Sequence, residues 1–241
     1  MTRFLALVLI ALVAQCGAHL LTDVDEPTGK RIDGGMSEAN GSSNISRRNS
    51  RGGGGGRSDV GGSCTAGAGE VGTLDEHETK EILFMREEEK LARDVYLTML
   101  EKYGSSITTT FEDIAVSEQE HMDSMLKMIY LYGLEDPVDP DTVGLFHDPF
   151  LAELYTDLVA RGETSLLEAL KVGTFIEETD AIDLVNAIEN TDEEVLACVY
   201  DNLLKASYEH LKAFVRAIEA QGETYTPVLL DAETVAEILG N

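Results

Sequence analysis

From Thr73 to the end of the chain, apolar residues recur every three or four positions, and helix breakers fall only between such runs. That period belongs to helices that bury one face. It predicts a first helix from about Thr73 to Lys102, stopped by Tyr103-Gly104, and a second over roughly Thr110 to Tyr132, ending at Gly133. A loop holding Asp136-Pro137 and Asp139-Pro140 precedes a short helix near Pro149 to Ala160, and a third long helix runs from Thr164 to about Glu189. Thr191-Asp192-Glu193-Glu194 reads as an N-terminal cap, with acids in the first turn of a fourth helix that reaches Ala220. A last amphipathic stretch covers Ala232 to Leu239. No segment alternates apolar and polar residues long enough to propose a strand. The expectation is an all-α domain over residues 73–241, a four-helix bundle whose one longer, central connection carries an extra short helix.

Residues 1–72 follow no such pattern. Met1-Thr-Arg3, the apolar run Phe4 to Ala14 and the small residues around Gln15-Cys16-Gly17-Ala18 read as a secretory signal peptide over residues 1–18. The run is shorter than the roughly 20 apolar residues that a bilayer span requires. Cys16 also permits a lipoprotein reading, with a membrane tether, but Gln15 is a poor residue just before a lipidated cysteine. Residues 19–72 read as a flexible linker, because 13 of the 22 glycines fall in residues 34–72 and such a stretch cannot bury enough apolar area to offset its ordering entropy. The Arg51 to Arg57 run is read as linker rather than as an RNA-binding segment. Asn40-Gly-Ser42 and Asn44-Ile-Ser46 are glycosylation sequons, meaningful only in a eukaryotic secretory pathway. Export thus points to a secreted, periplasmic or cell-surface protein. No Cys-x-x-Cys pair exists; Cys64 and Cys198 either form a disulfide in an oxidising compartment, or Cys198 is a small core residue.

Charge changes the picture of the helical part. The chain has 45 Asp and Glu against 18 Lys and Arg, a formal charge of −27. Residues 1–72 hold seven of each, so the whole excess lies in residues 73–241. A nucleic-acid partner, which needs a basic face, is excluded. Most acids fall on solvent faces, but some fall on the apolar stripes. In the second helix Ile114, Glu118, His121, Met125 and Met128 share one face; in the third, Glu177 sits at the centre of such a stripe with Asp180 one turn away; in the fourth, His210 lies between Leu203 and Phe214. In the first helix, Ile82, Met85, Glu89, Ala92 and Tyr96 compete with an almost equal stripe through Glu88. Of the triplet Glu87-Glu88-Glu89, at most one or two are expected to point inward.

A buried carboxylate must be paired, neutralised or bound to a metal. Carboxylates and imidazoles converging from four helices are the arrangement of di-iron and di-manganese centres. Glu89, Glu118, Glu177 and Asp180 together carry the charge that balances two divalent cations. The plainer structural reading is a set of hydrogen-bonded core polar groups, since a lone Glu-x-x-His such as Glu118 and His121 arises readily by chance.

The segments Phe84-Met-Arg-Glu-Glu-Glu-Lys-Leu-Ala-Arg-Asp-Val-Tyr96, Ser117-Glu-Gln-Glu-His-Met122, Ile176-Glu-Glu-Thr-Asp180 and Ser207-Tyr-Glu-His-Leu-Lys-Ala-Phe214 resemble the ferritin-like family called domain of unknown function 2202, over residues 74–241. The wider ferritin-like superfamily, including rubrerythrin, places a ligating Glu on the first helix followed by Ala and Tyr at three and seven residues, which Glu89, Ala92 and Tyr96 match. The resemblance implies metal ligands at Glu89, Glu118, His121, Glu177 and His210, with Asp180 as a further carboxylate, and Tyr96 or Tyr200 as a nearby hydrogen-bond or electron partner. It departs at Ser207, which stands where a fourth-helix Glu would be; a hydroxyl is a poor ligand beside carboxylate. Either Asp180 supplies the missing group or the second metal position is weak or empty. The expected function is an exported protein with an iron or manganese centre, dinuclear in the family pattern, and oxidase-like, peroxidase-like or iron-handling activity. The alternative is a non-catalytic, surface-tethered helical module. An iron-storage cage fits the long linker less well than a monomer or homodimer does.

Overall fold

The computed structural model describes Cys64 and residues 72–105 and 108–240; the expected signal peptide, the sequons and nearly all of the expected linker lie outside them. Among the described residues the fold is all-α. Helices α1 (Glu76–Tyr103), α2 (Thr110–Leu131), α4 (Leu166–Asn190) and α5 (Glu194–Ala220) are long; α3 (Pro149–Gly162) and α6 (Ala232–Leu239) are short. Several starts have a local cause. Asp75 and Glu78 form a reciprocal capping box at α1, with Asp75 Oδ1 accepting from Glu78 N at 2.8 Å and Glu78 Oε2 accepting from Asp75 N at 2.9 Å. Asp148 caps α3 ahead of Pro149, and the Ser165 hydroxyl accepts from Glu168 N at the start of α4. Thr191 does not cap α5 as expected. Its hydroxyl donates to Glu78 Oε1 at 2.6 Å, tying the α4–α5 turn to α1, and α5 starts without a side-chain cap.

Helix α1 packs along α2, and α4 along α5; contacts of α1 with α4 and of α2 with α5 complete one shared core. Its apolar interior has two parts. One contains Ile82, Met85, Met125, Ile129, Leu184 and Leu203. The other is an aromatic cluster in which Phe214 lies 5.1 Å from Tyr96 and 5.8 Å from Phe111, centroid to centroid. Gly173 makes room for that cluster: a Cβ there would lie 2.4 Å from the Phe214 ring. Between the two apolar parts sits a band of polar side chains.

The connection from α2 to α4 crosses the outer face of α1, and this corrects the expectation for the acidic triplet. Glu87, Glu88 and Glu89 are all buried. Helix α1 is enclosed on three sides, by α2, α4 and the crossing connection, so it has little solvent face at this level. Glu87 accepts the backbone N–H groups of His147 and Asp148 at 3.0 and 2.7 Å. Around it, Arg86 bridges Asp136, Lys90 pairs with Asp94 and donates to the Thr142 carbonyl, and Asp94 accepts Gly144 N at 2.9 Å. These charges are buried yet matched, and they strap the connection onto α1.

Two further attachments hold the molecule together. Cys64 and Cys198 form a disulfide, with Cα atoms 5.8 Å apart, which resolves the two readings of Cys198. Glu178, wholly buried in α4, accepts from Tyr225 Oη at 2.8 Å and from the backbone N–H groups of Val228, Leu229 and Leu230 at 2.7–3.0 Å, pinning the segment before α6. No helix of the described residues is long and apolar enough to cross a membrane.

Candidate metal centre

The polar band is built from the middle of each long helix. Glu89 of α1, Glu118 and His121 of α2, Glu177 and Asp180 of α4 and His210 of α5 are all buried; the structure brings all but Asp180 into two overlapping groups, and Asp180 belongs to neither. Three and seven residues are close to whole helical turns, so Glu118 and His121 share a face with Ile114 and Met125, as the stripe predicts. Ligand-type atoms of Glu89, Glu118 and His121 lie within 4.8 Å of one another, and so do those of Glu118, Glu177 and His210.

Glu118 belongs to both groups through different oxygens. Its Oε2 is 2.7 Å from His121 Nδ1, and its Oε1 is 2.9 Å from His210 Nδ1. His121 Nδ1 also lies 3.1 Å from Glu89 Oε2, and His210 Nδ1 lies 3.4 Å from Glu177 Oε2. The two imidazoles stack with centroids 5.3 Å apart. Several of these approaches are close without being aligned: His210 Nδ1 has no hydrogen bond despite its 2.9 Å contact, and Glu89 Oε1, His121 Nε2 and Asp180 Oδ1 are buried without a partner. Donor atoms that converge without satisfying one another fit a shared cation better than a finished hydrogen-bond network. The donor set, carboxylate oxygen with imidazole nitrogen, is one that could hold a divalent metal ion.

Outer contacts hold these groups in place. Tyr96 Oη donates to Glu177 Oε1 at 2.6 Å, and His210 Nε2 lies 2.9 Å from Ser117 Oγ, a residue that sequence reasoning did not single out. The Ser207 hydroxyl of α5 donates to Asp180 Oδ2 of α4, joining the two helices beside the site. Tyr200 is not at this site: it lines a separate cleft with Glu78 and Glu81.

Without a metal, protons carry the charge balance. Burial works against ionising Glu118, but His210 and then His121 outweigh it and hold Glu118 well below the usual carboxylate range. Burial likewise opposes charge on His210, yet Glu118 and Glu177 push it up to about 10. Burial is the largest influence on His121 and would lower it, but Glu118 and Glu89 drive it well upward. Glu89 rises to about 7, chiefly through burial, and Asp180 is driven well up by burial and by Glu89.

Comparisons with known proteins cover this same part of the chain. The profile of an uncharacterized protein domain, DUF2202, matches residues 78–241. The chain is 44% identical over 168 residues to the uncharacterized protein MJ0754 of Methanocaldococcus jannaschii, covering 70% of this chain and 89% of that protein. The crystal structure of the hypothetical protein MJ0754 from Methanococcus jannaschii aligns with a TM-score of 0.67, covering 70% of this chain and 95% of that one.

Proposed function

The chain belongs to the DUF2202 family, and we propose that its helical domain is a ferritin-like four-helix bundle whose core holds a pair of divalent ions, iron or manganese. Glu89 and His121 would hold one ion and Glu177 and His210 the other, with Glu118 reaching both and Asp180 contributing a further carboxylate. The observation that carries this reading is Glu118, whose two oxygens serve two different imidazoles from two helices. Four carboxylates balance two divalent cations in charge, and protons on the imidazoles and carboxyls would leave as the ions bind. Bound ions of this kind supply Lewis acidity and one-electron chemistry toward small oxygen species, which makes an oxidase-like, peroxidase-like or iron-handling role the activity class. The chain's own part is to orient Glu177 through Tyr96 and His210 through Ser117, and to keep water out with the apolar layers above and below.

We place the protein outside the reducing cytoplasm, on the strength of the signal-like residues 1–18 and the Cys64–Cys198 disulfide. The test of the centre is metal analysis of the chain purified without a chelator or a metal-binding tag, followed by manganese and ferrous titration. About two ions per chain are expected, and Glu118→Ala is expected to lose both. Absence of metal, together with unchanged stability of Glu118→Ala and His121→Ala, would sink the reading. A second reading uses the same short contacts as ion pairs that only fix helix register in a non-catalytic module. It expects Glu118→Leu with His121→Leu to be tolerated or stabilising.

A further inference from the structure

Apart from Glu89, Glu118 and Glu177, whose partners are imidazoles and Tyr96, half of the buried carboxylates among the described residues are supplied with donors. Glu87 accepts two backbone N–H groups, Asp94 has Lys90 and Arg93, Glu78 has Asp75, Thr191 and Asp192, and Glu178 has Tyr225 and three N–H groups. Four are different. No lysine, arginine or backbone N–H of the described residues reaches Glu81, Glu88, Asp183 or Asp180; Asp180 has only the Ser207 hydroxyl, and Glu88 and Asp183 lie within hydrogen-bonding reach of each other.

These four form a row. Glu81 and Glu88 are seven residues apart on one face of α1, about 10 Å along the axis at about 1.5 Å per residue. Asp180, Asp183 and Ala187 share one face of α4. The two helices run antiparallel, since Glu81 meets Ala187 at one end while Met99 and Ala169 meet beside Gly162 at the other. The row therefore leads from Asp180 in the centre, past Asp183 and Glu88, to Glu81. There it opens into a small cleft that His77, Glu78 and Tyr200 also line. Along it, Asp180, Glu88, Asp183 and Glu81 keep 7, 7, 8 and 8% exposure, whereas Glu89, Glu118 and Glu177 keep 1–2%. Three buried polar atoms on this line have no partner: Asp180 Oδ1, Glu88 Oε2 and the Tyr200 hydroxyl.

Resting on the metal-centre reading above, we propose that this row is the route by which divalent cations reach and leave the centre, with Glu81 at the mouth, Tyr200 beneath it and Asp180 at the inner end. Each step exchanges one oxygen ligand for another: a hydrated cation gives up waters to Glu81, moves to the Glu88 and Asp183 pair, and is handed to Asp180 beside the ligands. A row of carboxyl oxygens in a narrow cleft that no lysine or arginine enters offers a cation an oxygen ligand at every step. A hard, oxygen-preferring ion is the cargo that such a row recognises.

The experiment follows Co²⁺ uptake by the full metal-free chain in stopped flow, and release from the loaded chain into excess EDTA, for wild type, Glu81→Gln, Asp183→Asn and the exposed control Glu76→Gln. A route serves both directions, so Glu81→Gln and Asp183→Asn are expected to slow uptake and release by the same factor, about tenfold or more, with stoichiometry and Kd unchanged and Glu76→Gln like wild type. Wild-type rates in both variants would overturn the route. So would slower uptake with unchanged release, which is the mark of remote charge attraction, and so would a changed Kd, which would make the row part of the centre. A wild-type chain that takes up no Co²⁺ at all overturns the centre itself and the route with it, and that result is separable from the others.

Discussion

Glu118 shows how one carboxylate can be held ionised in a core that drives its neighbours toward the protonated form. Its two imidazoles do this, and they are themselves held protonated by it. The signs give a testable pH dependence for the metal-free protein. Glu89, raised to about 7, and Asp183, raised mainly by burial to about 6, stabilise the fold fully only below their unfolded values of 4.5 and 3.8, and lose that contribution as pH climbs through 7 and 6. His210 contributes fully below 6.5 and loses its share toward 10. Glu118 has the opposite sign and loses its contribution only as pH falls below the ordinary carboxylate range. The chelated protein should therefore melt at a higher temperature at pH 5.5 than at pH 8.5, and excess Mn²⁺ should reverse that order because it competes with the same protons. Melting curves at the two pH values, with EDTA and with Mn²⁺, check both halves. At this scale the inward positions of Glu118, His121, Glu177 and His210 were legible from helical phase alone. Glu87 was not, because its burial comes from the crossing connection, which leaves no period in the sequence of α1; Glu88 lay on a competing stripe, and phase alone did not show that both stripes are covered. Spacing of 81 with 88, and of 180 with 183, was the signal that would have exposed the acidic row.

The elements were legible to within a few residues at their ends, since apolar period and breakers act locally. What the pattern did not show was how tightly they meet. Gly173 is the clearest case: on helix propensity alone, Gly to Ala in mid-helix gains about 1 kcal/mol. Here the new Cβ would sit 2.4 Å from Phe214, whose ring is packed between Tyr96 and Phe111. Gly173→Ala is therefore expected to destabilise by about 1–3 kcal/mol, read as a lower urea midpoint. Because Tyr96 donates to Glu177, it should also weaken metal binding in a titration, without touching any ligand. A variant as stable as the parent would show that α4 and α5 can separate at no cost.

At the scale of the molecule, the largest covalent constraint joins Cys64 to Cys198 across a sequence separation of 134, closing a loop that contains α1 to α4. Removing such a bond from an oxidised protein costs about 2–4 kcal/mol, in the entropic view by freeing the unfolded chain. Reduction, and independently Cys198→Ala, should lower the urea-unfolding free energy by about that amount; equal stability of the oxidised and reduced forms would deny the bond any such role. The pairing could be named from the sequence but not chosen, because only the packed position of α5 brings Cys198 to Cys64.

The same bond fixes how the protein would carry tension. A pull on the two ends passes from residue 64 straight into α5 at Cys198, so the enclosed loop feels none of it. Glu89, Glu118, His121, Glu177 and Asp180 all lie inside that loop; His210 lies beyond Cys198, on the strained stretch. Stretched from its ends, the oxidised chain would lose the imidazole of His210 first, while the other five groups stay inside the covalently closed loop.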